Sequence, residues 1–173
     1  MRFVEADLGQ VLALYQELSG RSIIRSPSLP PNLKISFENR TAMSRAEGLQ
    51  ALDNVLAAQN IATVYLGTRY VKVVPSAQAS QESAPVMEMA WHELPDSSSY
   101  LIYIVKLKHL APEQATGILQ PFAKLPNSII GVRGSDVMIL RDYSSNVRRM
   151  MQVLEIADKP GTNLWPFSIP GKK

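Results

Sequence analysis

Few residues in this chain could carry out covalent chemistry. The 173 residues include no cysteine, which removes thiolate nucleophiles, disulfide frameworks and every cysteine-containing zinc site. The two histidines, His92 and His109, have sixteen residues between them and lack a third ligand nearby in sequence. His109 follows an apolar run and reads as a surface residue at a strand end, so no metal or cofactor is expected. Serines are numerous, but there is no Gly-x-Ser-x-Gly elbow, no phosphate loop and no acid pair placed for general acid and base catalysis. Gly131-Val132-Arg133-Gly134 spells the GxxG spacing that clamps a nucleic-acid backbone when it joins two helices. Here it falls between two β-rich runs, where its glycines serve a turn. Arg148-Arg149 is the only adjacent Arg pair, on the face of a predicted helix. No catalytic residue emerges, and the expectation is a protein that works through its surfaces.

The elements that carry those residues fall into two groups. In the first, Arg2-Phe3-Val4 is a short strand, and Leu8, Val11, Leu12, Tyr15 and Leu18 keep helical spacing up to a stop at Gly20. Strands follow at Ser22 to Arg25 and Leu33 to Phe37, separated by a loop holding Pro27, Pro30 and Pro31. Ser44 and Glu47 form a capping box ahead of a helix bearing Leu49, Leu52 and Leu56. Ile61 to Leu66 and Arg69 to Val74 are strands around Gly67-Thr68, which suits a two-residue type II′ hairpin. Residues 1–75 thus form one module.

Residues 76–99 carry four acidic and no basic side chains, several small residues and the triplet Ser97-Ser98-Ser99, with no sustained periodicity; they read as a linker. A second module spans residues 100–160. It holds a strand at Tyr100 to Leu107, a helix from Pro112 to about Lys124 that Pro121 stops or kinks, and strands at Asn127 to Val132 and Val137 to Leu140. A last helix, capped by Ser144, carries Val147, Met150, Met151 and Leu154. The order is β-α-β-β-α. Residues 161–173, with Trp165 and Phe167 among prolines, read as a tail or linker.

Net charge is +3 with no basic stripe, which speaks against a nucleic-acid partner. Hydrophobic residues make up 46% of the chain, enough for a core. The start lacks a basic and apolar export signal, so any such signal is expected to have been removed, and no segment approaches a membrane span.

The phrase Phe3 to Leu8, the stretch Gly20 to Ile24, the Ser44 helix and the ending Arg69 to Pro75 together resemble the first periplasmic ring module of type II secretion secretins. Val105 to Ala115, the Ile129–Leu140 hairpin and the helix reaching Asp158-Lys159-Pro160 are similar to the short module that follows it, whose topology is KH-like. The resemblance covers residues 1–160. It implies an α+β protein of two small modules, the first a two-helix mixed-sheet domain and the second a β-α-β-β-α domain. It further implies a non-enzymatic periplasmic portion of an outer-membrane protein that forms a homo-oligomeric ring. The partners it implies are copies of itself, an inner-membrane secretion component and exported proteins. We assign partner binding to the strand Arg2, Phe3, Val4 and ring contacts to Arg148 and Arg149. The first module also resembles the signalling domain of some TonB-dependent receptors, so an adaptor is the alternative, and a KH-like nucleic-acid binder a further one. A full secretin continues into more ring modules and a β-barrel, which nothing here resembles.

Overall fold

The computed structural model describes residues 2–160, leaving aside the side chains of Arg2 and Phe3; the tail at 161–173, with Trp165 and Phe167, lies outside the described residues. Nine strands and four α-helices follow one another as β1 (Arg2–Asp7), α1 (Leu8–Ser19), β2 (Ser22–Arg25), β3 (Lys34–Glu38), α2 (Arg45–Ala58), β4 (Ile61–Leu66), β5 (Tyr70–Pro75), β6 (Val86–Met87), β7 (Ser99–Lys106), α3 (Pro112–Leu119), β8 (Ile129–Gly131), β9 (Val137–Tyr143) and α4 (Ser144–Ala157). Short 3₁₀ segments at Ser76–Gln81, Trp91–Glu93 and Gln120–Phe122 complete the described chain. The class is α+β.

Helix α1 exists because Leu8, Val11, Leu12 and Tyr15 recur on one face and are buried there. Helix α2 begins on the expected capping box: the Glu47 amide donates to Ser44 Oγ at 3.2 Å, and the Ser44 amide to Glu47 Oε2 at 2.7 Å. Both helices pack on β4 and β5 through Leu52, Leu56, Ile61, Val71 and Val73. The second helical pair, α3 and α4, covers Leu101, Met138 and Leu140 with Ala115, Leu119, Val147 and Met150.

Strands β1 and β3 form a separate two-stranded antiparallel sheet, whereas the remaining strands build one sheet in the order β2-β5-β4-β7-β9-β8, with β6 beside β7. The junction is a parallel pairing of β4 with β7, Thr63 opposite Ser99 and Val64 opposite Tyr100. Ala62, Val64, Val74, Tyr100, Leu125 and Tyr143 form a third core cluster across it, closed by Ala79. The two sequence modules therefore share a sheet and a core.

Four local expectations are corrected. The β4–β5 loop has three residues, since Leu66 pairs with Tyr70, and Gly67 takes the left-handed φ of 60° at its start. Helix α3 ends at Leu119 and a 3₁₀ turn carries Pro121, because the proline ring excludes the helical bond to the preceding turn. Ser144 does not cap α4. It is the first helical residue, Tyr143 holds the N-cap position, and Ser144 Oγ donates instead to the Pro95 carbonyl. Finally, residues 76–99 are built into the fold: β6 pairs with Ile102 and Tyr103 of β7, Leu94 and Ala79 are buried, and Lys72 Nζ meets Glu82 at 2.7 Å. Their apolar residues are too widely spaced for a periodic signal, yet each finds a pocket.

The GxxG residues are likewise explained by packing. Gly134, with φ 72°, turns the β8–β9 hairpin, while a Cβ on Gly131 would stand 2.9 Å from Pro112 Cβ on α3. Gly131→Ala is therefore expected to cost about 1–3 kcal/mol through overpacking. Gly117→Ala, at an exposed helical site with open space around it, is expected to stabilise by about 0.4–1 kcal/mol. Urea denaturation of both variants checks the contrast, and equal midpoints would contradict the close α3–β8 contact.

Candidate functional site

Two regions offer surfaces that could act. The first is β1. One edge pairs with β3, Arg2 opposite Glu38 and Phe3 opposite Phe37, and the other edge has no strand partner among the described residues. The register shifts between Phe3 and Ala6, where Glu5 takes a φ of 50° and its amide turns to Ser36 Oγ at 3.1 Å. Such a bulge bends a strand and keeps its edge from pairing indiscriminately. Val4 is 68% exposed beside it, and Asp7 is held by Lys34 at 2.6 Å. The expected partner strand is thus an exposed edge with an apolar side chain on its surface.

Arg148 and Arg149 sit on α4 as expected. Arg149 lies over the Phe122 ring, 5.5 Å from its centroid, so part of its role is to cover that ring. Arg148 is half-buried. His92 stacks edge-on against Trp91, and the His109 amide donates to Asp158 Oδ1 at 2.7 Å. No cluster of three metal-ligating side chains occurs among the described residues.

The second region was not legible as a site. Asp53, on α2, is 2% exposed and sits where the modules meet. Its Oδ1 accepts from Tyr15 Oη at 2.9 Å and Thr63 Oγ1 at 2.7 Å, and Ser97 adds a further hydrogen bond. Tyr15 and Tyr65 share a hydroxyl contact of 2.8 Å. Around this hub the serine triplet is stitched to both sides: Ser98 Oγ donates to Asn54 at 2.6 Å, the Ser97 carbonyl accepts from the Ser145 amide at 2.9 Å, and Ser97 and Ser99 pair through their hydroxyls. Gln50 reaches the Asp96 carbonyl. A cavity of about 600 Å³ opens above, with Leu49, Met87 and Leu101 among its walls and Asp53 among its lining. The available signal was its position: Leu49, Leu52, Asp53 and Leu56 keep the spacing of a buried helical face, so an acid there had to be buried.

A parallel hub lies in the second module, where fully buried Asp142 accepts from the Lys124 amide, the Tyr143 amide and Asn146 Nδ2 at 2.7–3.0 Å. Asp158 closes the α4 end by accepting the amides of Lys108, His109 and Leu110 at 2.7–2.8 Å.

No family model matches the chain, and no curated protein matches it. Among solved structures it is similar to the Klebsiella pneumoniae type II secretion system outer-membrane complex of PulD, PulS and the PulC HR domain, at 18% identity and a TM-score of 0.73 over 92% of this chain and 27% of that one. Lesser likenesses are to the N-terminal domain of the secretin XcpQ from Pseudomonas aeruginosa, at 15% identity and TM-score 0.40 over 93% of this chain and 65% of that one, and to the enterotoxigenic Escherichia coli GspC–GspD complex, at 20% and 0.38 over 91% and 96%. The first likeness shows the fold: the chain folds like the N-terminal part of a type II secretion secretin. It spans about a quarter of that chain's length. Among the described residues no helix is long and apolar enough to cross a membrane.

Burial pushes the Asp53 carboxyl up to about 6, against the pull of its hydrogen bonds from Thr63, Tyr15 and Ser97. A carboxyl raised on folding favours the native state most below its unfolded value and loses that contribution as pH rises through about 6. The Asp158 carboxyl lies below its usual range because the Lys108, Leu110 and His109 amides outweigh burial. Glu47 is also lowered, by the Ser44 amide. These two act in the opposite sense and only in more acidic solution. Acidification from pH 7 to 5 is therefore expected to add on the order of 1 kcal/mol through Asp53, and Asp53→Asn is expected to flatten that slope. Melting series of both proteins across this range check it; an unchanged slope in the variant would contradict a buried, titrating Asp53.

Proposed function

We propose that the chain is a non-enzymatic periplasmic scaffold of a type II secretion-like secretin. It docks an inner-membrane secretion component along the open edge of β1 and contributes, as a repeated subunit, to the vestibule of an oligomeric export channel. The observation that carries this reading is the likeness in fold to the type II secretion outer-membrane complex, which extends over 92% of this chain at a TM-score of 0.73. It agrees with a molecule in which buried Asp142 and half-buried Asp158 are consumed in holding backbone amides.

An unpaired edge recruits an extended partner through main-chain hydrogen bonds, and side chains beside it supply selectivity. On β1 the backbone beyond the Glu5 bulge faces β3, and exposed Val4 supplies an apolar contact. In a ring each subunit presents one patch to a different patch on the next; Arg148 and Arg149 on α4 are the proposed contacts on one of those faces, where exposed ion pairs set orientation more than affinity. Exported proteins passing through the vestibule are the remaining proposed partners. The GxxG lies at a hairpin tip and not between two helices, which leaves the nucleic-acid reading without support.

Arg2→Glu with Phe3→Asp is expected to weaken binding of the periplasmic domain of the inner-membrane component by at least about tenfold, or 1.4 kcal/mol, while circular dichroism and melting temperature stay near those of the parent. Calorimetric titration gives the affinity. Unchanged affinity in the double variant would overturn β1 as the docking edge.

A further inference from the structure

The cavity at the joint has an acid at its floor and nothing to neutralise it. Asp53 lies at the meeting point of α1, α2, β4 and the serine triplet, and its hydrogen-bond partners Tyr15, Thr63 and Ser97 are all uncharged. The one cation among the lining residues, Arg21, is engaged elsewhere: its guanidinium donates to the Gly67 carbonyl at 2.6 Å and lies 4.7 Å from the centroid of the Tyr65 ring. A carboxylate taken out of water without a counter-charge is an unfavourable arrangement that a cation delivered from outside relieves. The walls leading to it, Leu49, Met87 and Leu101, are apolar and suit an aliphatic stem.

We propose that this cavity receives a lysine or arginine side chain carried on an apolar, extended segment of a partner protein, with Asp53 as the counter-ion and the cavity walls holding the stem. The site is distinct from the β1 edge and does not depend on it. Because its walls come from α2 and from β6 and β7, an occupant touches both sides of the joint at once. Asp96, at the rim, adds a second negative charge on the path of entry.

Entry of a cation favours the ionised acid, so occupancy falls as Asp53 takes up a proton near pH 6. The groups facing Asp53 are Tyr15 from α1, Thr63 and Tyr65 from β4, and Ser97 ahead of β7, with Arg21 beyond Tyr65. Burial holds the Tyr15 and Tyr65 hydroxyls above their ordinary range, so both stay neutral.

The test is nuclear magnetic resonance titration of the whole chain with three blocked tripeptides, Leu-Lys-Leu, Leu-Arg-Leu and Leu-Gln-Leu. The basic peptides are expected to shift the amides of Leu49 and Ser97 with dissociation constants of about 1 mM or tighter. The glutamine peptide is expected to bind at least about tenfold more weakly, and binding of the basic peptides to weaken between pH 7.5 and 5. Asp53→Asn should abolish the preference for a basic residue. Ala46→Trp, which fills the cavity mouth from an exposed helical position and leaves Asp53 in place, should block all three. Equal binding of the basic and glutamine peptides, shifts outside the cavity, or no shift at about 10 mM peptide would each overturn the proposal.

Discussion

The structure turns on a short seam in which Thr63 and Val64 of β4 run parallel to Ser99 and Tyr100 of β7. Only two residue pairs carry it, too few main-chain bonds to hold two modules by themselves. Its strength comes from what is stacked on either face. On one face Tyr100, Tyr143 and Leu125 close over Ala62 and Val64. On the other, Asp53 gathers Tyr15, Thr63 and Ser97, while Ser98 and the Ser97 carbonyl tie α2 to the start of α4. Every polar group in the serine triplet that is named here finds a partner, which is why three serines tolerate burial. With the seam closed, the sheet is continuous, and α1 to α4 hold fixed positions on it.

That continuity matters for a scaffold. A subunit that transmits position from one end to the other must not flex between its modules, since relative motion is the default where an interface is small and polar. Here the joint combines a shared sheet, a shared apolar cluster and a buried acid. The open β1 edge stands on the separate two-stranded sheet, tied back through Ala6 and Ile35 to the α1 core. The neighbours of the β1 strand, the proposed docking edge, are therefore set by the body of the molecule.

Much of each module was legible in the sequence because the signals are local. Leu8, Val11, Leu12 and Tyr15 announce α1 by their spacing, and Ser44 with Glu47 announces the start of α2. Glycines at 67 and 134 mark turns. What was not legible is long-range. Nothing in Thr63-Val64 or Ser99-Tyr100 says that the two will pair, because a parallel pairing leaves no turn between its strands. The serine triplet looks like linker in composition and becomes structural only because Asn54, Asp53 and Ser145 arrive from elsewhere. Gly131 reads as a turn residue, but its reason is the approach of Pro112. The Glu5 bulge in β1 and the use of Ser144 as a tie to Pro95 left no pattern either, since each depends on a partner far along the chain.

The most direct test of the seam is a distance measured across it. The chain has no cysteine, so spin labels go only where they are placed, and Glu17 on α1 and Glu155 on α4 are both exposed. Electron double resonance between labels at these two positions is expected to give one narrow distance distribution in the parent. It should broaden when Ser97 and Ser98 are replaced by glycine. A broad or multi-peaked distribution in the parent itself would contradict the account, since the two modules would then move independently and the seam would not be the constraint that orders the rest.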